Sequence, residues 1–121
     1  MKKVLIIEDD SFLQSLEADK LEKAGYKIIT ASNGSEAMKK IEDPEISMVL
    51  LDLILPDFDG FEILKSIREH DKTKYIPVIV FSNLSEEKVM KQAYDMGATD
   101  FMVKSNFTLD ELIQHIKKFL K

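Results

Sequence analysis

Apolar residues along the chain fall into two kinds of stretch. Short runs rich in Val, Ile and Leu recur at residues 4–7, 27–30, 48–51, 78–81 and 101–103. They lack the alternation of a half-exposed strand, and so read as strands buried on both faces of a parallel sheet. Between them lie stretches of helical period. The first aligns Leu13, Leu16, Leu21 and Ala24 on one face and ends at Gly25, a left-handed C-cap. The second starts at Asn33, with Glu36 placed to reach back to the cap, carries Ala37, Met38 and Ile41, and stops before Pro44. The third begins near Asp59-Gly60 and buries Phe61, Leu64 and Ile67. The fourth opens at Ser85, with Glu86 and Glu87 in its first turn, and ends at Gly97. The fifth opens on the capping box Thr108-Leu109-Asp110-Glu111, and Leu109, Leu112, Ile113, Ile116 and Leu120 form its apolar face. Its last turn holds Lys117, Lys118 and Lys121, the sign the helix dipole favours there.

Five βα units in succession predict an α/β fold with a doubly wound parallel sheet of order 2-1-3-4-5 and five helices, the flavodoxin-like arrangement. The length of 121 residues accommodates one domain, residues 1–121. Hydrophobic residues are 45% and charged residues 32%, an ordinary globular balance. The chain has no Cys, which excludes disulfides, thiol nucleophiles and Cys-based zinc sites and fits a reducing compartment. The apolar runs are too short to span a membrane, and the N-terminus does not read as a signal peptide. A net charge of −5 makes direct binding to nucleic acid a poor expectation.

In an open parallel sheet, ligands bind beyond the carboxyl ends of the strands where the winding reverses, here between strands one and three. Strand one ends in Glu8-Asp9-Asp10 and strand three in Asp52. Carboxylates gathered in one crevice repel one another, and a hard divalent cation resolves the repulsion. With oxygen ligands and neither His nor Cys nearby, the cation expected is Mg2+, with Mn2+ as the alternative. Asp10 is placed to cap the first helix. Strand four adds the hydroxyl of Ser82, and strand five adds the ammonium of Lys104. A carboxylate, a metal, a hydroxyl and a lysine together suit the holding of a phosphoryl group.

Four stretches carry a resemblance: residues 4–10 (VLIIEDD), 50–60 (LLDLILPDFDG), 80–83 (VFSN) and 97–104 (GATDFMVK). In this order and spacing they resemble the chemotaxis-type receiver domain of two-component response regulators, over the whole chain. The resemblance implies a phosphoacceptor role for Asp52, direct metal ligation by Asp9 and Asp52, a water-mediated role for Glu8, and a third protein ligand from the backbone carbonyl of Ile54. It implies that Ser82 is the switch hydroxyl, that Lys104 pairs with a phosphoryl oxygen, and that Phe101 is the aromatic switch. It implies a cytoplasmic signalling protein phosphorylated by a histidine kinase or His-phosphotransfer protein. Such a protein answers to a downstream target or output domain through the face of helix four, strand five and helix five, with phosphorylation-dependent homodimerisation open. Such a domain is no turnover enzyme: it catalyses only its own phosphorylation and slow dephosphorylation.

The chain departs from the family pattern in places. Ser105-Asn106 follow Lys104 where proline is usual, so the Lys104–Ser105 bond is expected to be trans, or cis under visible strain. Asn83 is larger than the small residue common after the switch hydroxyl. Ile54 and Leu84 flank the site with apolar side chains that cannot orient a hydrolytic water, so slow autodephosphorylation is expected. A phosphohydrolase with an aspartyl nucleophile usually needs an acid two residues beyond the nucleophile, where this chain has Ile54. A flavin protein must cradle a phosphate in its first loop, and Glu8-Asp9-Asp10 would repel it. The intact set of Asp9, Asp52, Ser82 and Lys104 argues against a degenerate receiver. His70 and His115 are expected on solvated helix faces with no role, and the six Met residues as core filler or partner surface.

Overall fold

The computed structural model describes residues 2–120. Its strands are β1 (Lys3–Ile7), β2 (Lys27–Ala31), β3 (Ile46–Leu51), β4 (Val78–Ser82) and β5 (Asp100–Val103). The helices are α1 (Ser11–Lys23), α2 (Gly34–Lys40), α3 (Gly60–Glu69), α4 (Glu87–Asp95) and α5 (Leu109–Phe119). All strand pairs are parallel, and the sheet order is β2-β1-β3-β4-β5, as the alternating pattern predicts.

Strand periodicity divides the core into two layers. Val4, Ile6, Met48, Leu50, Ile79, Phe81 and Met102 pack under α1 and α5, with Leu21, Leu112, Ile113 and Ile116. Leu5, Ile7, Val49, Leu51, Val78, Val80, Phe101 and Val103 pack under α2, α3 and α4, with Ala37, Ile63, Leu64, Ile67 and Ala93. Every residue of β1 and β4 is buried, which accounts for their unbroken apolar runs.

The helix signals are mostly borne out. Asp10 caps α1 by accepting from Leu13 N, Asn33 caps α2 by accepting from Glu36 N, and Thr108 and Glu111 form the capping box of α5. Gly25 follows α1 at φ 101°, the left-handed region. Gly60 is needed for close approach: a Cβ there would lie 2.3 Å from the Leu53 Cα, so only glycine lets α3 start against the residue after Asp52.

Five expectations need correction. The strand β2 lies at the edge of the sheet and is buried only at Ala31, so it is not enclosed on both faces. The inward face of α1 carries Glu17 and Leu21, while Leu16 is exposed. A helix on a sheet buries a stripe, and Leu13, Glu17 and Leu21 are spaced four apart along it, whereas Leu16 falls beside it. The helix α4 begins at Glu87, with Glu86 as an N-cap that makes no side-chain bond, so Ser85 belongs to the preceding loop. Phe61 is only partly buried, and Ile63 takes the inward place in α3. His115 is not on a freely solvated face: its Nδ1 lies 3.0 Å from Asp100 Oδ2, and its ring meets Phe107 edge-on. Lys121 of the expected last turn lies outside the described residues.

Candidate functional site

The two-residue period that sorts the core also builds the site. Glu8 continues the row of Val4 and Ile6, Asp52 that of Met48 and Leu50, and Lys104 follows Met102. All three side chains therefore leave the carboxyl edge of the sheet on the α1/α5 side. The Lys104 ammonium lies between the two acids, 2.5 Å from Glu8 Oε1 and 2.7 Å from Asp52 Oδ2. Both acids are buried, Glu8 to 2% exposure and Asp52 to 5%.

Backbone groups hold each acid in place. Asp52 N donates to Ile7 O, and Asp52 Oδ1 accepts from Ile54 N at 3.0 Å. Glu8 N donates to Ala31 O, and Glu8 Oε2 accepts from Asp10 N at 3.2 Å. Asp9 is exposed, and one oxygen from each of Glu8, Asp9 and Asp52 lies within 4.8 Å of the others. Oxygen donors at that spacing, converging on a point now balanced by one ammonium, fit a hard cation such as Mg2+.

Burial pushes the Glu8 carboxyl above its ordinary range, against the pull of the Lys104 hydrogen bond. Burial works to lower Lys104, but its bonds to Asp52 and Glu8 outweigh that and hold the ammonium above the ordinary lysine value.

Ser82 and Phe101 belong to the opposite row. Ser82 is fully buried, pairs with Val103 across the β4–β5 ladder, and accepts from Leu84 N at 3.4 Å rather than joining the carboxylate network. Phe101 is 6% exposed and packed in the α2/α3/α4 layer. The Ile54 side chain is half exposed beside Asp52. The peptide bond after Lys104 is trans, as its missing proline predicts, and residues Lys104–Asn106 form a single 3-10 turn.

Two site residues escape sequence reasoning. Glu17 is 2% exposed, and neither of its carboxyl oxygens has a hydrogen-bond partner among the described residues. Burial, then the negative field of Glu8, raises its pKa to about 8, so it is neutral at pH 7. Its spacing from Leu13 and Leu21 was the available signal. The other residue is Gln14, whose amide Nε2 lies 2.8 Å from Glu8 O, 3.2 Å from Ala31 O and 3.2 Å from Ser32 Oγ. Nothing in its residue type marked it.

A doubly wound sheet with acids from β1 and β3 and a lysine from β5 gathered at its switch point defines a class of α/β signalling domains. The chain belongs to the response regulator receiver domain family, whose model matches residues 4–117. It is 42% identical over 115 residues to the transcriptional regulatory protein KdpE of Staphylococcus aureus, covering 95% of this chain and 48% of that protein. Among solved structures, the chemotaxis protein CheY4 of Vibrio cholerae is 27% identical with a TM-score of 0.92, each chain covered to 99%. The response regulator TrrA of Thermotoga maritima, in complex with Mg2+-BeF, is 33% identical with a TM-score of 0.85, covering 99% of this chain and 100% of that one. The chain spans about half the length of the curated relatives it matches. Among the described residues, no helix is long and apolar enough to cross a membrane.

Proposed function

We propose that Asp52 is the phosphoacceptor of this receiver domain and that the unit spans residues 1–121. The donor is the phosphohistidine of a histidine kinase or His-phosphotransfer protein. The P–N bond breaks, its electron pair stays on the imidazole nitrogen, and an Asp52 carboxylate oxygen forms the new P–O bond. The observation that carries this reading is the Lys104 ammonium shared by buried Glu8 and Asp52, with the Asp9 carboxylate beside them. Asp9, Asp52 and the Ile54 carbonyl would hold Mg2+ directly and Glu8 through water, and Mn2+ would serve in its place. When bound, that cation neutralises charge gathered from the acids and the incoming phosphoryl group. Lys104 then offers its ammonium to one phosphoryl oxygen and Ser82 its hydroxyl to another.

Ser82 and Phe101 share one face of the sheet, so a hydroxyl drawn toward the phosphoryl oxygens changes the packing around Phe101. The face of α4, β5 and α5 reads out that change to a protein target or output domain, or to a second phosphorylated copy. The setting is cytoplasmic, and the domain performs no turnover beyond its own phosphorylation and dephosphorylation. It makes no direct contact with nucleic acid or membrane.

Incubation with a small acyl phosphate and Mg2+ tests the assignment. Intact mass should rise by one phosphoryl group, peptide mapping should place it on Asp52, and Asp52→Asn should abolish it. A phosphoryl group on another residue, or none, overturns the reading.

Hydrolysis of the product needs a water aligned behind the phosphorus, and the flanking Ile54 and Leu84 side chains offer it no hydrogen bond. Ile54→Asn combined with Leu84→Glu should speed phosphate loss by about tenfold or more, since each gives the water a polar partner. The decay of the phosphorylated species, followed by mass spectrometry, measures this. An unchanged decay rate removes these side chains from the explanation.

A further inference from the structure

We propose that Gln14 is a positioning residue for the cation site, locking the Glu8–Asp9 peptide in the orientation that aims the Asp9 carboxylate at Asp52. This rests on the reading of Glu8, Asp9 and Asp52 as cation ligands. The β1–β2 ladder ends at the pair Ile7 and Ala31. One more bond continues it, from Glu8 N to Ala31 O at 3.0 Å, and the Glu8 carbonyl then passes the end of the ladder. The amide of Gln14, one turn into α1, donates to that carbonyl at 2.8 Å. The same nitrogen lies 3.2 Å from Ala31 O, the oxygen that already holds Glu8 N. The Glu8–Asp9 peptide is thus gripped at the oxygen by Gln14, while Glu8 itself is held at its nitrogen by β2.

This grip matters because of what Asp9 lacks. Glu8 is buried and its carboxylate is held by Lys104 and by Asp10 N. Asp9 is exposed, so the direction of its side chain follows from its backbone. A peptide plane free to rotate at the end of a strand would swing Asp9 away from the point where the three carboxylates converge. Gln14 also reaches Ser32 Oγ at 3.2 Å, and Ser32 N donates to Glu36 Oε1, so the loop after β2 is drawn into the same arrangement. A partner one step behind the ligands typically changes metal affinity by about 10–100-fold when removed.

The test uses the full chain, with Mg2+ as the probe. Calorimetry gives the dissociation constant, and amide chemical shifts of Asp9 and Asp52 report where the ion sits. Gln14→Met and Gln14→Ala both remove the donor, one keeping the length of the side chain and the other presenting a good helix former. Each should weaken Mg2+ by about tenfold. Gln14→Arg, which restores a planar donor of similar reach, should return the affinity to near the wild-type value. Thermal unfolding of the metal-free variants separates this from a loss of fold, because a merely structural role would lower the midpoint without weakening Mg2+ in the folded protein. Mg2+ affinity unchanged in Gln14→Met and Gln14→Ala overturns the proposal, as does an equal loss in Gln14→Arg. A wild-type protein whose Asp9 and Asp52 amides ignore Mg2+ overturns instead the cation-site reading on which it stands.

Discussion

Glu17→Leu should make the protein more stable, by about 3 kcal/mol at pH 7. Few charged-to-apolar changes do this, and the reason lies in where Glu17 sits. Its carboxyl is 2% exposed, in the layer between α1 and the sheet, and both oxygens lack a partner among the described residues. Burial and the neighbouring acids raise its folded pKa to about 8, against an ordinary 4.5. Between those values the unfolded chain gives up the proton while the folded protein keeps it. The unfolded state therefore binds fewer protons, and stability falls as pH rises through that window, levelling off above about pH 8. Leucine has nearly the same volume and nothing to titrate. Its advantage should accordingly be small near pH 5 and large near pH 8. Urea unfolding of both proteins at the two pH values measures the difference. An advantage of the same size at both would mean that Glu17 ionises normally in the folded state.

Glu17 also shows where reading the sequence stops. Glutamate is a solvated residue by type, and Leu16 beside it is apolar, so the buried face of α1 is naturally assigned to Leu16. What decides the matter is the angular position of each side chain against the sheet, which puts Glu17 in line with Leu21. A neutral buried acid and a charged exposed one are written with the same letter. The strands were legible for the opposite reason. Burial on both faces demands the unbroken apolar runs of β1, β3, β4 and β5, whereas β2, at the sheet edge, is buried only at Ala31. The ends also moved, β1 gaining Lys3, held by Asp43, β2 Ala31, β3 Ile46 and Ser47, β4 Ser82 and β5 Asp100. The convergence of Glu8, Asp52 and Lys104 was legible because a parallel sheet presents all its carboxyl ends on one edge. The Gln14 amide was not, because its role depends on a carbonyl left over where a ladder runs out. His115 was misplaced likewise, since its partner Asp100 belongs to another element.

Lys104→Met should cost the metal-free protein about 3 kcal/mol or more at neutral pH, and Mg2+ should return much of that loss. Methionine keeps the aliphatic stem, so packing changes little and the missing charge dominates. The Lys104 ammonium is hydrogen-bonded to two acids that are almost wholly buried. Without it, Glu8 and Asp52 face each other unpaired in a medium far less polarisable than water. Removing one partner from a buried pair is expensive because the remaining charge has no water to turn to. Glu8, already raised by burial, loses the hydrogen bond that opposes the shift, so it should be driven higher still. Acid should therefore lessen the penalty: as pH falls and Glu8 protonates, the variant should approach the wild type. A divalent cation supplies the same compensation without protonation, which makes the variant more dependent on Mg2+ than the parent. Urea unfolding at pH 5 and pH 7.5, with and without Mg2+, reads all of this. A penalty indifferent to both pH and Mg2+ would show that these acids do not share one site. Phosphoryl uptake by the Mg2+-loaded variant should still fall, because the cation restores the charge balance but not the ammonium that Lys104 offers to the phosphoryl oxygen.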